Sequence, residues 1–205
     1  MNQGKIGKAG SADEFHAVVG LLYEAALSAE LWPQALRRMV DFIGNSGTHV
    51  WLMDEKSKAV HHTTHVGIPD RLMADYNGDK IRECPRVGNA LSRPMAELLF
   101  DYQHLSERDI DRNEYYDWLR KTGDGIRYYL AARFPAADGL TGYQSLSFRK
   151  SEGHSQPEHV QRFSILLPHV QRALTISQRL GDSQLIAHSA LDLLRHLKFS
   201  VALLG

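Results

Sequence analysis

The spacing of apolar residues changes twice along this chain, and that change restricts the fold more than any other feature. Helical spacing at both ends encloses a middle with strand alternation. Near the start, Phe15, Val18, Val19, Leu22 and Ala26 recur on one helix face. Ser11 and Glu14 precede them as S-x-x-E, a pair whose side chains satisfy each other's backbone N–H. A Trp32-Pro33 corner follows, and Pro33 suits the first turn of a second helix, where no N–H is needed. Leu36, Met39, Val40 and Ile43 form that helix's buried face, and Gly44-Asn45 ends it. Joined by so few residues, the two helices are expected to pack antiparallel.

The middle reads differently. β-Branched and aromatic residues flank the polar stretch Asp54 to Lys58, giving a hairpin with strands over 47–53 and 58–66. Residues 69–91 return to short helical pieces, broken at Asn77-Gly78 and again before Pro85. Residues 96–102, "AELLFDY", read as a strand. Ser106 to Asp109 starts a helix that runs through "NEYYDWLRKTG" and stops at Gly123. "GIRYYLAARF" and "GYQSLSFRK" are two more strands. On the first, Ile126, Tyr128, Leu130 and Ala132 share a face. On the second, Tyr143, Ser145 and Ser147 oppose Leu146 and Phe148. A long helix closes the chain, with Ser155 and Glu158 as its cap, Pro157 in its first turn, and Pro168 inside it to bend it or remove one backbone bond.

The fold class is therefore α+β: a central antiparallel sheet of about five strands, packed by N-terminal helices and long C-terminal helices. Such a sheet buries one face on helices and leaves the other to form a pocket. The chain divides into a flexible leader over 1–10, one domain over 11–182, and a C-terminal helical segment over 183–205 that signals or dimerises and begins whatever follows.

Composition excludes several classes. Lys plus Arg and Asp plus Glu number 24 each, so the chain carries no net charge, whereas a phosphate-gripping module needs a basic excess. Direct nucleic-acid binding is not expected. One cysteine, Cys84, forms no internal disulfide and suits a reducing cytoplasm. No apolar run reaches the ~20 residues that span a bilayer. The 11 histidines invite a metal, but His61 and His65 on one strand face lie ~13 Å apart by strand rise, and no H-E-x-x-H or C-x-x-C occurs. No cofactor is implied. For catalysis, Cys84 beside a histidine is the best nucleophile on offer, and nothing in the sequence lowers its pKa; the chain is not read as an enzyme.

The order of these elements resembles a known family. "YEAALSAELWPQALRRMVDFIG", "NEYYDWLRKTGDGIRYYLAARF", "SQPEHVQRFSILLPHVQRAL" and "ALDLLRHLKFSVALLG" are similar, in that order, to the N-terminal sensory regions of LuxR-type helix-turn-helix transcriptional regulators with a GAF/PAS-like input domain. The resemblance covers most of residues 20–204 and implies a bacterial, cytoplasmic, ligand-sensing module. No recognition helix is visible, so it reads as an input domain without its DNA-binding module, either a piece of a longer regulator or a stand-alone relative. Autoinducer-binding members of the family read an acyl-homoserine lactone with a Trp-and-Tyr pair followed by Asp-Pro. Here Tyr76 is kept, the preceding tryptophan is missing, and Cys84-Pro85 stands where the acid would be. The acceptor for an amide N–H is lost with it.

An apolar or aromatic ligand in a mostly apolar pocket fits better. The candidate lining residues are Trp51, Met53, Tyr76, Cys84, Tyr116, Trp118, Tyr128 and Tyr143, because aromatics on the sheet and its covering helices bring area and a polar tip. Ordinary core is the competing reading of each. In the last helix, Phe163, Leu166, Val170, Ala173, Ser177 and Leu180 follow a 3-4 spacing close to a coiled-coil seam, continued by Leu185, Ser189 and Leu193 or Leu194. Part of that stripe is expected to pair with a second copy as a symmetric homodimer.

Overall fold

The computed structural model describes residues 12–57 and 60–196, with side chains placed as far as Gly181. The leader, the Ser11 cap and the side chains of the stripe beyond Gly181 lie outside the described residues. Five strands, β1 (Gly47–Met53), β2 (Val60–Val66), β3 (Leu98–Phe100), β4 (Ile126–Pro135) and β5 (Thr141–Arg149), form one antiparallel sheet in the order β2-β1-β5-β4-β3.

One face of the sheet carries α1 (Ala12–Leu27), α2 (Trp32–Ile43) and the 40-residue α8 (Pro157–His196). Their stripes meet Val50 and Leu52 of β1, Leu130 of β4, and Leu146 and Phe148 of β5 in the main core. Trp32 is fully buried at the corner before α2, packed edge-on against His62 with its indole N–H 3.5 Å from Ser177 Oγ on α8. That contact pins the corner between the edge strand and the last helix. Gly44 ends α2 at φ +89°, a left-handed value that a residue with a Cβ adopts only under strain, and its N–H reaches Val40 O.

The other face is covered by shorter pieces: α3 (Asp70–Asp75), a π-helical turn over Tyr76–Lys80, α4 (Ile81–Glu83), α5 (Pro85–Leu91), α6 (Glu107–Arg112) and α7 (Glu114–Thr122). The α6 cap is the predicted one: Ser106 Oγ accepts from Asp109 N at 3.2 Å and Asp109 Oδ2 accepts from Ser106 N at 3.0 Å. Asn113 caps α7 by accepting from Tyr115 N.

The structure departs from the sequence reading at four places. A bulge between Ile126 and Tyr128 turns Ile126 to the second face, while Tyr128, Leu130 and Ala132 stay on the first. The strand read over 96–102 is only three residues long, because Asp101 leaves the ladder to accept Tyr129 N, and Gln103 Oε1 folds back to accept Phe100 N. The cap of α8 is Gln156, one residue later than Ser155, with its N–H donated to His159 Nδ1. Finally, the helix read from Ser106 to Gly123 is two, α6 and α7, because Asn113 between them is extended (φ −87°, ψ 128°) and caps the second.

A cavity between the sheet and the second helical layer

A hollow of about 70 Å³ lies between the second sheet face and α3, α5 and α7. Sheet register explains where it forms. One cross-strand row runs over all five strands as His65, His49, Ser145, Ala131 and Leu99. Beside it runs the row Thr63, Trp51, Tyr143 and Arg133, and on its other side Ser147 pairs with Tyr129. The middle row is small at its centre and its neighbours are large, so a depression opens over Ser145 and Ala131. Both residues keep intermediate exposure although they sit on interior strands. Leu72, Met73 and Tyr76 from α3 and the turn after it, with Tyr115 and Leu119 from α7, close the top.

The walls are aromatic and ordered. Trp51 stacks on Tyr143 with ring centroids 4.8 Å apart and planes 4° from parallel, and His49 stacks on the other side of Trp51 at 4.4 Å. His49 Nε2 lies 2.8 Å from Thr63 Oγ1. Burial, helped by nearby His65 and His62, holds the His49 imidazole down to a pKa of about 3, so it is neutral at pH 7. Burial raises the Tyr76 and Tyr115 phenols, aided by the Cys84 thiol, so both remain protonated.

One buried ion pair sits at the rim. Arg86, at the start of α5, lies 3.4 Å from Asp101, whose side chain is 1% exposed. Asp101 also accepts from Tyr129 N at 2.9 Å and from the Tyr116 hydroxyl. Arg86 donates from Nε to Tyr116 Oη and from Nη2 to Arg127 O, and its guanidinium faces the rings of Tyr129, Tyr116 and Tyr115 at 4.6, 5.0 and 5.8 Å. Burial works against the Arg86 charge, and Asp101 with the tyrosines more than offsets it, leaving its pKa well above the usual value.

Of the residues read from sequence, Trp51, Tyr76 and Tyr143 line the hollow. Met53 lies on the same face one step farther along β1, outside the lining. Cys84 is 5% exposed and sits behind the wall, in hydrogen-bonding reach of Tyr76 and Tyr115. Tyr116 also stands behind it, holding Asp101, and Trp118 packs on Tyr115 at 5.4 Å. Tyr128 is a correction: it belongs to the opposite sheet face, where its hydroxyl donates to Glu107. The bulge at Ile126 makes its neighbour Tyr129 the inward tyrosine. His49, Arg86, Tyr115, Tyr129 and Ser145 were missed. His49 and Ser145 had a signal, since they alternate in phase with Trp51 and Tyr143; Arg86 had none, because its acid lies 15 residues away on another element.

Among the described residues, no group of three or more His, Cys, Asp or Glu side chains is placed to hold a metal, and no helix is long and apolar enough to cross a membrane.

A five-stranded antiparallel sheet with a long helical layer on one face and a partly open hollow under shorter helices on the other is an α+β fold. Solved ligand-binding domains of LuxR-family regulators share this fold. The ligand-binding domain of VqsR from Pseudomonas aeruginosa superposes with a TM-score of 0.58 at 18% identity, over 80% of this chain and 95% of that one. The N-acylhomoserine-lactone-dependent LuxR-family transcription factor CepR2 from Burkholderia cenocepacia gives 0.58 at 11%, over 82% and 99%. The phycocyanobilin-bound GAF domain of a cyanobacterial phytochrome is also similar, at 0.51 and 9%, over 80% and 94%. No protein-family model matches the chain, and no curated protein matches it in sequence.

Proposed function

We propose that this chain is the ligand-sensing input domain of a bacterial, cytoplasmic transcriptional regulator, and that it binds a small apolar or aromatic molecule in the hollow over Ser145 and Ala131. The observation that carries this reading is the hollow itself, lined by stacked aromatics where a purely structural domain would fill the space with side chains. Its resting volume of about 70 Å³ is below the ~150 Å³ in which an engineered apolar cavity takes up benzene. Ligand entry therefore moves the cover, and the π-helical turn at Tyr76–Lys80 is the least regular part of it. Catalysis through Cys84 is disfavoured, because the buried thiol is met by two tyrosines and not by a base.

Occupancy is proposed to act through dimer geometry. Phe163, Leu166, Val170 and Ala173 are fully buried in their own domain, so the first part of the predicted seam is used up there. The same helix exposes Ile165, Ile176 and Leu180, which share another face. That face is the proposed homodimer surface, and ligand-driven movement against it would reach a DNA-binding module attached to the chain. A native mass spectrum of freshly purified protein tests the receptor reading: a retained small molecule supports it, and failure to retain or take up any ring compound removes it. Light scattering showing only monomer at tens of micromolar would remove the dimer alone.

A further inference from the structure

Three residues between β3 and α6 touch three parts of the molecule at once. Asp101, Tyr102 and Gln103 form a single 3₁₀ turn. Asp101 is the group that the cover of the hollow shares with the sheet: it pairs with Arg86 of α5, accepts the Tyr116 hydroxyl of α7, and accepts the N–H of Tyr129 on β4. Gln103 holds the sheet edge, where its amide accepts from Phe100 N at 3.1 Å and donates to Leu98 O at 2.8 Å. Tyr102 is 41% exposed, and its ring centroid lies 3.7 Å from that of His154. The His154 ring also packs on Tyr128 at 4.0 Å, and both tyrosine hydroxyls donate to Glu107. His154 precedes α8 by three residues, and Gln156, the cap of α8, donates from Nε2 to His154 O at 3.1 Å. Neither Tyr102 nor His154 lines the hollow.

We infer that this turn is the relay by which occupancy of the hollow reaches α8, passing from Asp101 through Tyr102 to His154. The inference rests on the receptor reading and names its route of regulation. A ring compound enlarges a hollow of about 70 Å³, so α5 and α7 move outward. Both helices are tied to Asp101, and a carboxylate that is 1% exposed keeps its donors because an unpaired charge is costly there, so it follows them. A three-residue turn has no slack: with Gln103 fixed on β3, a shift of Asp101 turns Tyr102 against His154. The displacement enters α8 ahead of Phe163, Leu166 and Val170, which are fully buried and serve as its fulcrum. From there a helix of 40 residues, ~60 Å long by its rise per residue, carries a small tilt to its far end.

Toluene, acetophenone and indole test this on the full chain. In ¹H–¹⁵N spectra the Ser145 and Ala131 amides report occupancy, and the Glu158 to Val160 amides report the start of α8. Binding of a probe is expected to move both sets. In Tyr102→Ala the floor amides should still respond while the α8 response is lost. The cover then moves without dragging α8, so affinity should rise by about fivefold, the lower end of ordinary coupling, although Tyr102 does not touch the probe. Tyr102→Phe keeps the ring on His154 and should behave as the wild type. Binding with no response at α8, or an α8 response that survives in Tyr102→Ala, overturns the relay and leaves the receptor reading standing. No binding by any of the three probes overturns both. If Tyr102→Ala does not fold, His154→Ala breaks the same ring contact from the loop side and decides.

Discussion

Replacing Asp101 by Asn tests whether the rim pair is a true buried charge pair. The two side chains have nearly the same shape, so the substitution removes charge and leaves volume. In the folded protein Asp101 is 1% exposed and the Arg86 side chain 13%, and no second acid pairs with Arg86 among the described residues. Removing one partner of a buried pair typically costs about 3–5 kcal/mol, because the other charge remains desolvated. Arg86 keeps its bonds to Tyr116 Oη and Arg127 O and its three ring contacts, which offset part of that. The Asn amide, however, turns one acceptor into a donor opposite Tyr129 N or the Tyr116 hydroxyl. The expected loss is about 3 kcal/mol, read from urea midpoints at constant m with tryptophan fluorescence. The Arg86→Met, Asp101→Leu double variant removes both charges and should recover most of it. Benzoate should raise the Asp101→Asn midpoint and leave the wild type unmoved, since only the variant presents an uncompensated cation. A loss below about 1 kcal/mol, or equal rescue of both proteins, would mean that water already screens Arg86 and the pair is not what holds the rim.

Three other perturbations follow from the same geometry. The His49 pKa is about 3 in the folded protein against 6.5 in the open chain, so unfolded chains take up the proton first as pH falls. Stability is therefore complete above pH 6.5 and lost below it, by about 2 kcal/mol between pH 7 and 5, and His49→Gln should flatten that slope in urea titrations. Ala131→Leu fills the hollow: at ~24 cal/mol per Å³ it regains at most about 1.7 kcal/mol, and it should abolish acetophenone uptake. A variant that unfolds more readily by over 2 kcal/mol would show that the space is not free. Gly142→Ala places a Cβ 2.1 Å from Phe134 Cε2, whose ring is 1% exposed and held in the main core, so a loss of about 1–3 kcal/mol is expected in thermal unfolding.

Periodicity made the two ends and the central strands of this chain legible because it reports which side chains are buried. It does not report what buries them. Phe163, Leu166, Val170 and Ala173 have the spacing of a coiled-coil seam, yet they are buried in the chain's own core, while the exposed apolar face of α8 carries, among the described residues, three large side chains and gives no clear pattern. The same limit applies at the site. Tyr128 and Tyr129 are adjacent and chemically alike, and a single extra residue in the ladder decides which one faces the hollow. Arg86 and Asp101 meet because a helix start and a strand end converge, which no local spacing encodes. What sequence does carry is the floor. Ser145 and Ala131 are small residues at the centre of interior strands, in phase with Trp51 and Tyr143, where a packed sheet would carry large ones. A gap in the size pattern of a buried face, more than the aromatics around it, is the signal from which such a cavity can be read.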